Sequence, residues 1–153
     1  IEKELVRLSR DYTDKVRNEK LEPEKNLQQA KDVGLIVGRK YSWDSLERYF
    51  SFEGERRGGI RVTEKGNVVL FSFSNSQYAN KRKDGILYYM GQNTGTPEQE
   101  LWYGNKALYT CFESGAGRIF LFEDNIFIGE QVFAKEPFRE NGKWFFPLKS
   151  KKD

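Results

Sequence analysis

Histidine is absent from this chain, and cysteine and methionine each occur only once in its 153 residues. Without histidine, the chain lacks the commonest general base, the commonest metal ligand and every nucleophile arrangement that depends on an imidazole. The single Cys111 excludes an internal disulfide and a cysteine-based zinc site, which fits a reducing cytoplasm, and we expect it to be a buried small hydrophobe. We therefore expect no catalytic residues, no metal and no cofactor in this chain, and an enzyme acting alone is the least favoured interpretation.

Long apolar runs and secretory signals are also missing. No stretch approaches the roughly 20 apolar residues that span a bilayer, so we expect a cytoplasmic protein with no membrane partner. Neither a G-x-x-x-x-G-K-[ST] loop nor a strand-to-helix G-x-G-x-x-G pattern occurs, which removes the common nucleotide-binding loops.

The chain is instead rich in aromatic and charged residues. It contains 12 Phe, 8 Tyr and 3 Trp, and 32% of its residues are charged. This composition is typical of a globular protein with a core built from large rings. Between Arg56 and Phe122, nine cations stand against five anions, so the basic excess is concentrated in the middle of the chain. A basic patch favours a polyanionic partner, and the alternative interpretation is a solvated surface.

The sequence divides near residue 34. Residues 1–33 carry helical spacing on a mostly polar background and predict an N-terminal helical extension or linker. Residues 34–153 predict one domain. The chain begins at Ile1 rather than at a methionine, and we expect it to be a segment of a longer protein that carries nuclease or helicase/NTPase domains elsewhere.

The pattern within residues 34–153 predicts an α+β fold. Ser42 can cap a helix that runs to Phe50, and the stretch Leu101–Phe112 is compatible with helix or strand, with helix favoured. Runs of β-branched and aromatic residues between turn signals predict strands at Ile60–Thr63, Val68–Phe73, Gly85–Met90, Arg118–Glu123, Phe127–Ala134 and Trp144–Leu148. Short strands at this spacing favour a small, strongly curved β-barrel with flanking helices.

Aromatic and basic residues alternate along one predicted hairpin. Tyr78 precedes the cationic turn Lys81–Lys83, and Tyr88 and Tyr89 follow at the end of the next strand. An extruded nucleobase needs rings on which to stack and cations for its flanking phosphates. The hairpin therefore predicts nucleic-acid binding. Tyr88 alternates with Tyr89 and is expected in the core, as are Trp102 and Tyr103.

The order of several short motifs resembles the SRA (SET- and RING-associated) domains of eukaryotic chromatin proteins and bacterial modification-dependent restriction systems. Those domains carry Y-T-G at a strand end, a variable loop, D-Q, and then N-[KR]-A-L. The counterparts here are Tyr89-Met90-Gly91, the loop 92–97, Glu98-Gln99 and Asn105-Lys106-Ala107-Leu108, preceded by Tyr78-Ala79-Asn80 and Asp84-Gly85. Ile128-Gly129-Glu130 and Phe146-Pro147-Leu148 also resemble bacterial members, and the similarity covers roughly residues 34–149.

The resemblance implies a PUA-like barrel that flips a modified cytosine, such as 5-methylcytosine or 5-hydroxymethylcytosine, out of double-stranded DNA. Tyr78 and Tyr89 would sandwich the base and Asn80 would read its edge, so the implied pocket consists of Tyr78, Asn80, Tyr89, Met90 and Gly91. The implied contacts to the DNA backbone and grooves are Arg56, Arg57, Lys81, Arg82, Lys83, Gln92, Asn93, Thr94 and Lys106. Binding would target a restriction endonuclease to the modified site.

Two residues depart from the family pattern. Asn80 stands where the family has aspartate, and its amide both donates and accepts hydrogen bonds, whereas a carboxylate only accepts. Met90 replaces a threonine and adds a flexible, polarizable side chain. The alternatives are a PUA- or YTH-like module that binds RNA or N6-methyladenine, and a non-catalytic protein-interaction domain.

Overall fold

The computed structural model describes residues 34–53, 59–74 and 80–151. The predicted extension over residues 1–33 lies outside the described residues. The chain divides into two compact units. The first comprises the residues up to Ser51 together with Asn125–Phe127, and the second comprises Phe52–Asp124 and the residues from Ile128 onward. Among the described residues, no helix is both long and apolar enough to cross a membrane.

The first unit contains helix α1, Trp43–Phe50. The helix begins where predicted, because the Ser42 side chain accepts a hydrogen bond from the Ser45 backbone N–H. It ends at Ser51, which adopts a left-handed conformation with φ 53°. The residues before the helix are fixed by backbone hydrogen bonds from Tyr41 N–H to Asn125 O (2.9 Å) and from Phe127 N–H to Arg39 O (2.9 Å).

The remaining described residues contain eight strands and helix α2. Helix α2 is Tyr103–Ser114, which confirms the helical interpretation of that stretch. The strands are β1 Ile60–Val62, β2 Val68–Ser72, β3 Lys81–Lys83, β4 Ile86–Met90, β5 Ile119–Glu123, β6 Ile126–Phe133, β7 Phe138–Glu140 and β8 Lys143–Ser150. Six strands were predicted, and the two short charged ones, β3 and β7, were missed.

The strands form one mixed sheet in the order β1-β2-β5-β6-β8-β4-β3, with β7 paired to β8. Strands β2 and β5 are parallel, and the other described pairs are antiparallel. The predicted α+β class is confirmed. The predicted barrel is not, because the described pairings end at β1 and β3, which do not pair with each other, so the sheet is open.

In the part of the chain that the structure describes, three two-residue turns have positive φ at both positions, the geometry of type I′ hairpin turns. They are Asp84-Gly85, Asp124-Asn125 and Asn141-Gly142. The sequence predicts turns at Asp124-Asn125 and at Asn141-Gly142. The predicted cationic turn over Lys81–Lys83 is wrong. Those residues form edge strand β3, and the chain reverses at Asp84-Gly85 because these residue types tolerate a left-handed backbone.

The core of the second unit lies between the sheet and α2. Its buried members include Leu70 of β2, Leu87 and Tyr89 of β4, Leu108 of α2 and Phe146 of β8. Consecutive residues of β2 and β5 are buried, so these parallel neighbours are covered on both faces. Glu130 is also buried, and Arg118 binds it with two hydrogen bonds, Nε to Oε2 at 3.1 Å and Nη2 to Oε1 at 2.8 Å. A paired guanidinium of this kind satisfies a carboxylate that burial would otherwise penalise.

Cys111 packs into this core as predicted, and burial raises the pKa of its thiol. Because the unfolded thiol ionises at a lower pH than the folded one, this contribution to stability is intact below about pH 8.5 and declines as the pH rises further. We expect iodoacetamide at pH 8 to alkylate the folded chain about tenfold more slowly than the urea-unfolded chain, since the thiolate is the reactive form. Mass spectrometry of the single thiol measures both rates, and equal rates would contradict its burial.

Candidate nucleic-acid interface

Asn80 connects the ends of two strands that are not neighbours in the sheet. Its Oδ1 accepts a hydrogen bond from the Met90 backbone N–H at 2.8 Å, and its Nδ2 donates to Ser72 Oγ at 3.1 Å. Ser72 ends β2 and Met90 ends β4, and three strands lie between β2 and β4 in the sheet order. The sheet must therefore curl strongly for one side chain to reach both strands.

The two hydrogen bonds also fix which way the Asn80 amide points. A backbone N–H can only donate, so Met90 requires the amide oxygen on its side. The amide oxygen retains a second lone pair, and the amide nitrogen retains a second hydrogen. The half-buried Asn80 thus offers one acceptor and one donor from a fixed position.

Tyr89 lies beside this group and is anchored at its hydroxyl. The hydroxyl is 2.7 Å from the Phe71 carbonyl oxygen and 3.2 Å from that of Gly59. A Cβ added to Gly59 would lie 2.6 Å from both the Phe71 oxygen and the Tyr89 hydroxyl, so only glycine permits this approach. The ring is 3% exposed and belongs to the core cluster, and Met90 is 8% exposed.

Three residues that the sequence assigns to the DNA-binding site lie outside the described residues: Arg56, Arg57 and Tyr78. The described residues next to the two gaps, 54–58 and 75–79, are close together. Phe71 N–H donates to Gly59 O at 2.7 Å, and Asn80 binds Ser72, so Gly59 and Asn80 both sit at the carboxyl end of β2.

Two buried amides hold the loop that follows β4, and the first is Asn105 of α2. Asn105 is fully buried, accepts from Gln92 N–H at 2.8 Å, and donates to Gln92 O at 2.9 Å and Glu100 O at 3.0 Å. A Cβ added to Gly91 would lie 2.7 Å from Asn105 Oδ1, which explains the glycine at the strand end. Asn105 therefore ties both ends of the loop to the helix.

Gln99 is the second of these amides. Its Nε2 donates to Gly91 O at 2.9 Å and to Asn93 Oδ1 at 3.2 Å, and its Oε1 accepts from Trp144 N–H at 2.8 Å. These contacts hold the loop against β8. The Gln and Asn of the SRA-like motifs are thus structural polar groups. Gln92 is 7% exposed, so its side chain does not lie at the surface, whereas Asn93 is exposed.

The predicted cations divide by strand alternation. Lys81, Lys83 and the helix residue Lys106 are exposed. Arg82 is also exposed, but it points to the other face of β3 and pairs with Glu123 Oε2 at 2.7 Å, which ties the sheet edge to the end of β5. No group of three or more cysteine and carboxylate side chains that could hold a metal occurs among the described residues.

Three aromatic predictions are wrong. Trp102 and Tyr103, expected in the core, are 46% and 59% exposed. Tyr88, also expected in the core, is partly exposed, with Lys135 Nζ 5.4 Å from its ring centroid. Strand alternation does place Tyr88 opposite Tyr89, but that face of the sheet is only partly covered. Nothing in residue type distinguishes an aromatic on a covered face from one on an open face.

Comparisons with solved structures identify the fold. The SUVH5 SRA domain in complex with fully methylated CG DNA matches with a TM-score of 0.57 and 19% identity, over 78% of this chain and 92% of that one. The sulfur-binding and SRA domains of ScoMcrA, complexed with phosphorothioated DNA, match with a TM-score of 0.56 and 17% identity, over 78% of this chain and 41% of that one. The fold is that of the SRA domain.

The chain spans only part of some of these proteins. It covers 25% of the type IV phosphorothioation-dependent restriction endonuclease ScoMcrA, at a TM-score of 0.54 and 16% identity. No protein-family model matches the sequence, and no curated protein matches it.

Proposed function

We propose that this chain is a modified-DNA recognition domain that binds double-stranded DNA containing 5-methylcytosine or 5-hydroxymethylcytosine and flips the modified base into a pocket at Asn80. The SRA fold supports DNA as the partner, since similar solved structures contain methylated or phosphorothioated DNA. The observation that carries the proposal is the fixed amide of Asn80, which keeps one donor and one acceptor available at the strand ends.

The remaining hydrogen-bonding groups of Asn80 complement cytosine. The Watson–Crick edge of cytosine carries an amino donor at N4 and an acceptor at N3. The second lone pair of Oδ1 can accept from N4, and the second hydrogen of Nδ2 can donate to N3. Because Met90 and Ser72 already orient the amide, little side-chain freedom is lost when the base arrives.

Stacking supplies the energy for extrusion. Unpairing and unstacking one base costs a few kcal/mol, and each aromatic platform contributes about 1–3 kcal/mol per base. We assign the platforms to Tyr78 and Tyr89, so that two rings and a hydrogen-bonded edge offset the cost. Because Tyr89 is 3% exposed, the proposal requires that its ring be uncovered when DNA binds.

Exposed and half-buried polar groups around the pocket would hold the flanking DNA. Lys81 and Lys83 project from the sheet edge, and Asn93 and Thr94 lie on the loop that Asn105 and Gln99 fix. Together with Arg56 and Arg57 they would contact phosphates and groove edges. Binding should therefore weaken steeply as salt increases.

Cleavage would belong to other domains. The chain covers only 25% of the restriction endonuclease ScoMcrA, and it contains no histidine. We propose that in the cytoplasm it targets a nuclease, with or without a helicase or NTPase, within the same protein or complex.

The decisive experiment compares duplexes that differ only at one base. Fluorescence anisotropy measures binding to duplexes that contain unmodified, 5-methyl-, 5-hydroxymethyl- or glucosylated cytosine or N6-methyladenine, and single-stranded RNA serves as a competitor. We expect the affinity for one cytosine modification to exceed that for the unmodified duplex by about tenfold or more. A 2-aminopurine placed beside the modified cytosine should brighten on binding, because extrusion unstacks its neighbour. Equal binding to all duplexes would refute the proposal, and preference for N6-methyladenine or RNA would favour the alternative module.

A further inference from the structure

Two exposed aromatic residues begin helix α2. Trp102 occupies the N-cap position and Tyr103 the first helical position, and their rings meet edge to face with centroids 6.2 Å apart. Among the described residues, the other exposed large hydrophobic side chains are Ile36 and Val37, which lie in the first unit. Trp102 and Tyr103 thus form the exposed aromatic surface of the second unit, named here the α2 platform.

The backbone holds the platform rigidly. Tyr103 has φ 53°, an uncommon conformation for a bulky residue that persists only where its surroundings enforce it. The enforcing neighbours are next in sequence. Asn105 is locked by three hydrogen bonds, and a Cβ added to Gly104 would lie 2.6 Å from Ile60 Cβ. A backbone held in this way loses little conformational freedom on binding.

Depressions lie on both sides of the platform, and the larger of the two has a basic lining. A cavity of about 900 Å³ runs between α2 and β1, and its charged lining consists of Arg61, Lys65 and Lys106 against the single anion Glu53. A second cavity of about 630 Å³ has Lys106 and Glu113 in its lining. Tyr103 and Lys106 line both cavities and therefore form the ridge between them. Rings beside exposed lysines suit a nucleic-acid strand, whose bases stack while its phosphates meet the cations.

The platform adjoins the proposed base pocket. The packing of Gly104 brings the start of α2 against Ile60 and Gln92. Ile60 directly follows Gly59, which contacts the Tyr89 hydroxyl, and Gln92 directly follows Gly91 at the end of β4. The platform and the pocket therefore share one end of the second unit, so one DNA molecule can reach both.

We propose that the α2 platform stacks against an unpaired or unstacked nucleotide that neighbours the extruded base, while Lys106 and Lys65 contact its phosphates. The inference rests on the proposed function, because extrusion is what unstacks the neighbouring nucleotides. The platform lies outside the pocket and does not meet the modified group. Its contribution to affinity therefore requires extrusion of the base, but it is the same whichever cytosine modification is extruded.

The test measures the affinity of the full chain for three duplexes, which carry 5-methylcytosine, 5-hydroxymethylcytosine or unmodified cytosine. The double variant Trp102→Ala/Tyr103→Ala should weaken binding to the two modified duplexes by a similar factor, roughly 5- to 150-fold for the loss of one stacked base, so their ratio is unchanged. Binding to the unmodified duplex should change little. Trp102→Phe/Tyr103→Phe should retain near-normal binding, since the rings remain. Val37→Ala, a deletion at an exposed apolar side chain of the first unit, is the matched control and should change nothing.

Each other outcome has a defined meaning. Unchanged affinity for the modified duplexes in the alanine variant would overturn the platform, and a change only in oligomeric state by light scattering would assign the surface to protein association instead. A different loss for the 5-methylcytosine and the 5-hydroxymethylcytosine duplex would also overturn it, because the rings would then belong to the pocket. If the unaltered chain binds modified and unmodified duplexes equally and the alanine variant weakens both, the platform stands while the proposed recognition of the modification fails.

Discussion

Asn80→Ala is expected to lower affinity for the preferred modified duplex by about 10- to 100-fold and to abolish its discrimination from unmodified DNA. The expected size follows from the loss of a two-point amide contact to a base, worth about 1–3 kcal/mol. Affinity for unmodified DNA, which depends mainly on phosphate contacts, should change little. Anisotropy titrations with the paired duplexes at one fixed salt concentration measure both quantities.

Two further variants separate base reading from local structure. Ser72→Ala removes only the partner of Asn80 Nδ2 and leaves the hydrogen bond from Met90 N–H. It should therefore lower the affinity for the modified duplex severalfold at most. Asn80→Asp keeps an acceptor for Met90 N–H and for the cytosine amino group. Its affinity for the modified duplex should remain within about tenfold of that of the parent chain. If Asn80→Ala discriminates between the duplexes as well as the parent chain does, Asn80 does not read the base.

Asn105→Ala is expected to destabilise the folded chain by about 3 kcal/mol. The substitution leaves Gln92 N–H, Gln92 O and Glu100 O without their partner, and each lost hydrogen bond costs about 1 kcal/mol. For a chain of this length, that corresponds to a fall in melting temperature of roughly 6–12 °C. Affinity for DNA should fall as well, because Asn105 fixes both the loop that carries Asn93 and the start of α2.

Thr110→Ala is the matched control on the same helix, since Thr110 is exposed. It should melt within about 2 °C of the parent chain. Thermal melts followed by circular dichroism compare the two variants directly. Equal melting temperatures for Asn105→Ala and Thr110→Ala would show that the buried amide does not hold the loop.

The motif residues that carry the SRA resemblance are largely structural. Gln99 and Asn105 fix the loop after β4, and Glu130 is the buried partner of Arg118. Their order in the sequence therefore reports the fold more directly than it reports the ligand. The departure at Asn80 is different, because that amide still has a donor and an acceptor to offer.

Local chemistry determined much of the fold. Runs of Val, Ile and Phe marked the long strands, Ser42 marked the start of α1, and Asn141-Gly142 marked a hairpin, because these signals act within a few residues. Strands β3 and β7 escaped prediction. They are short and charged, so no apolar run marks them, although each pairs with the strand that directly follows it across a two-residue turn.

The sequence by itself determined the α+β class, most element positions, the absence of histidine chemistry and the basic, aromatic middle of the chain. Only the tertiary structure decided which aromatics face solvent, that Gln92 is buried, that the sheet stays open and that Asn80 bridges β2 and β4. The reason is physical. Exposure and long-range hydrogen bonds depend on how a sheet curls and what covers each face, and residues distant in sequence set both.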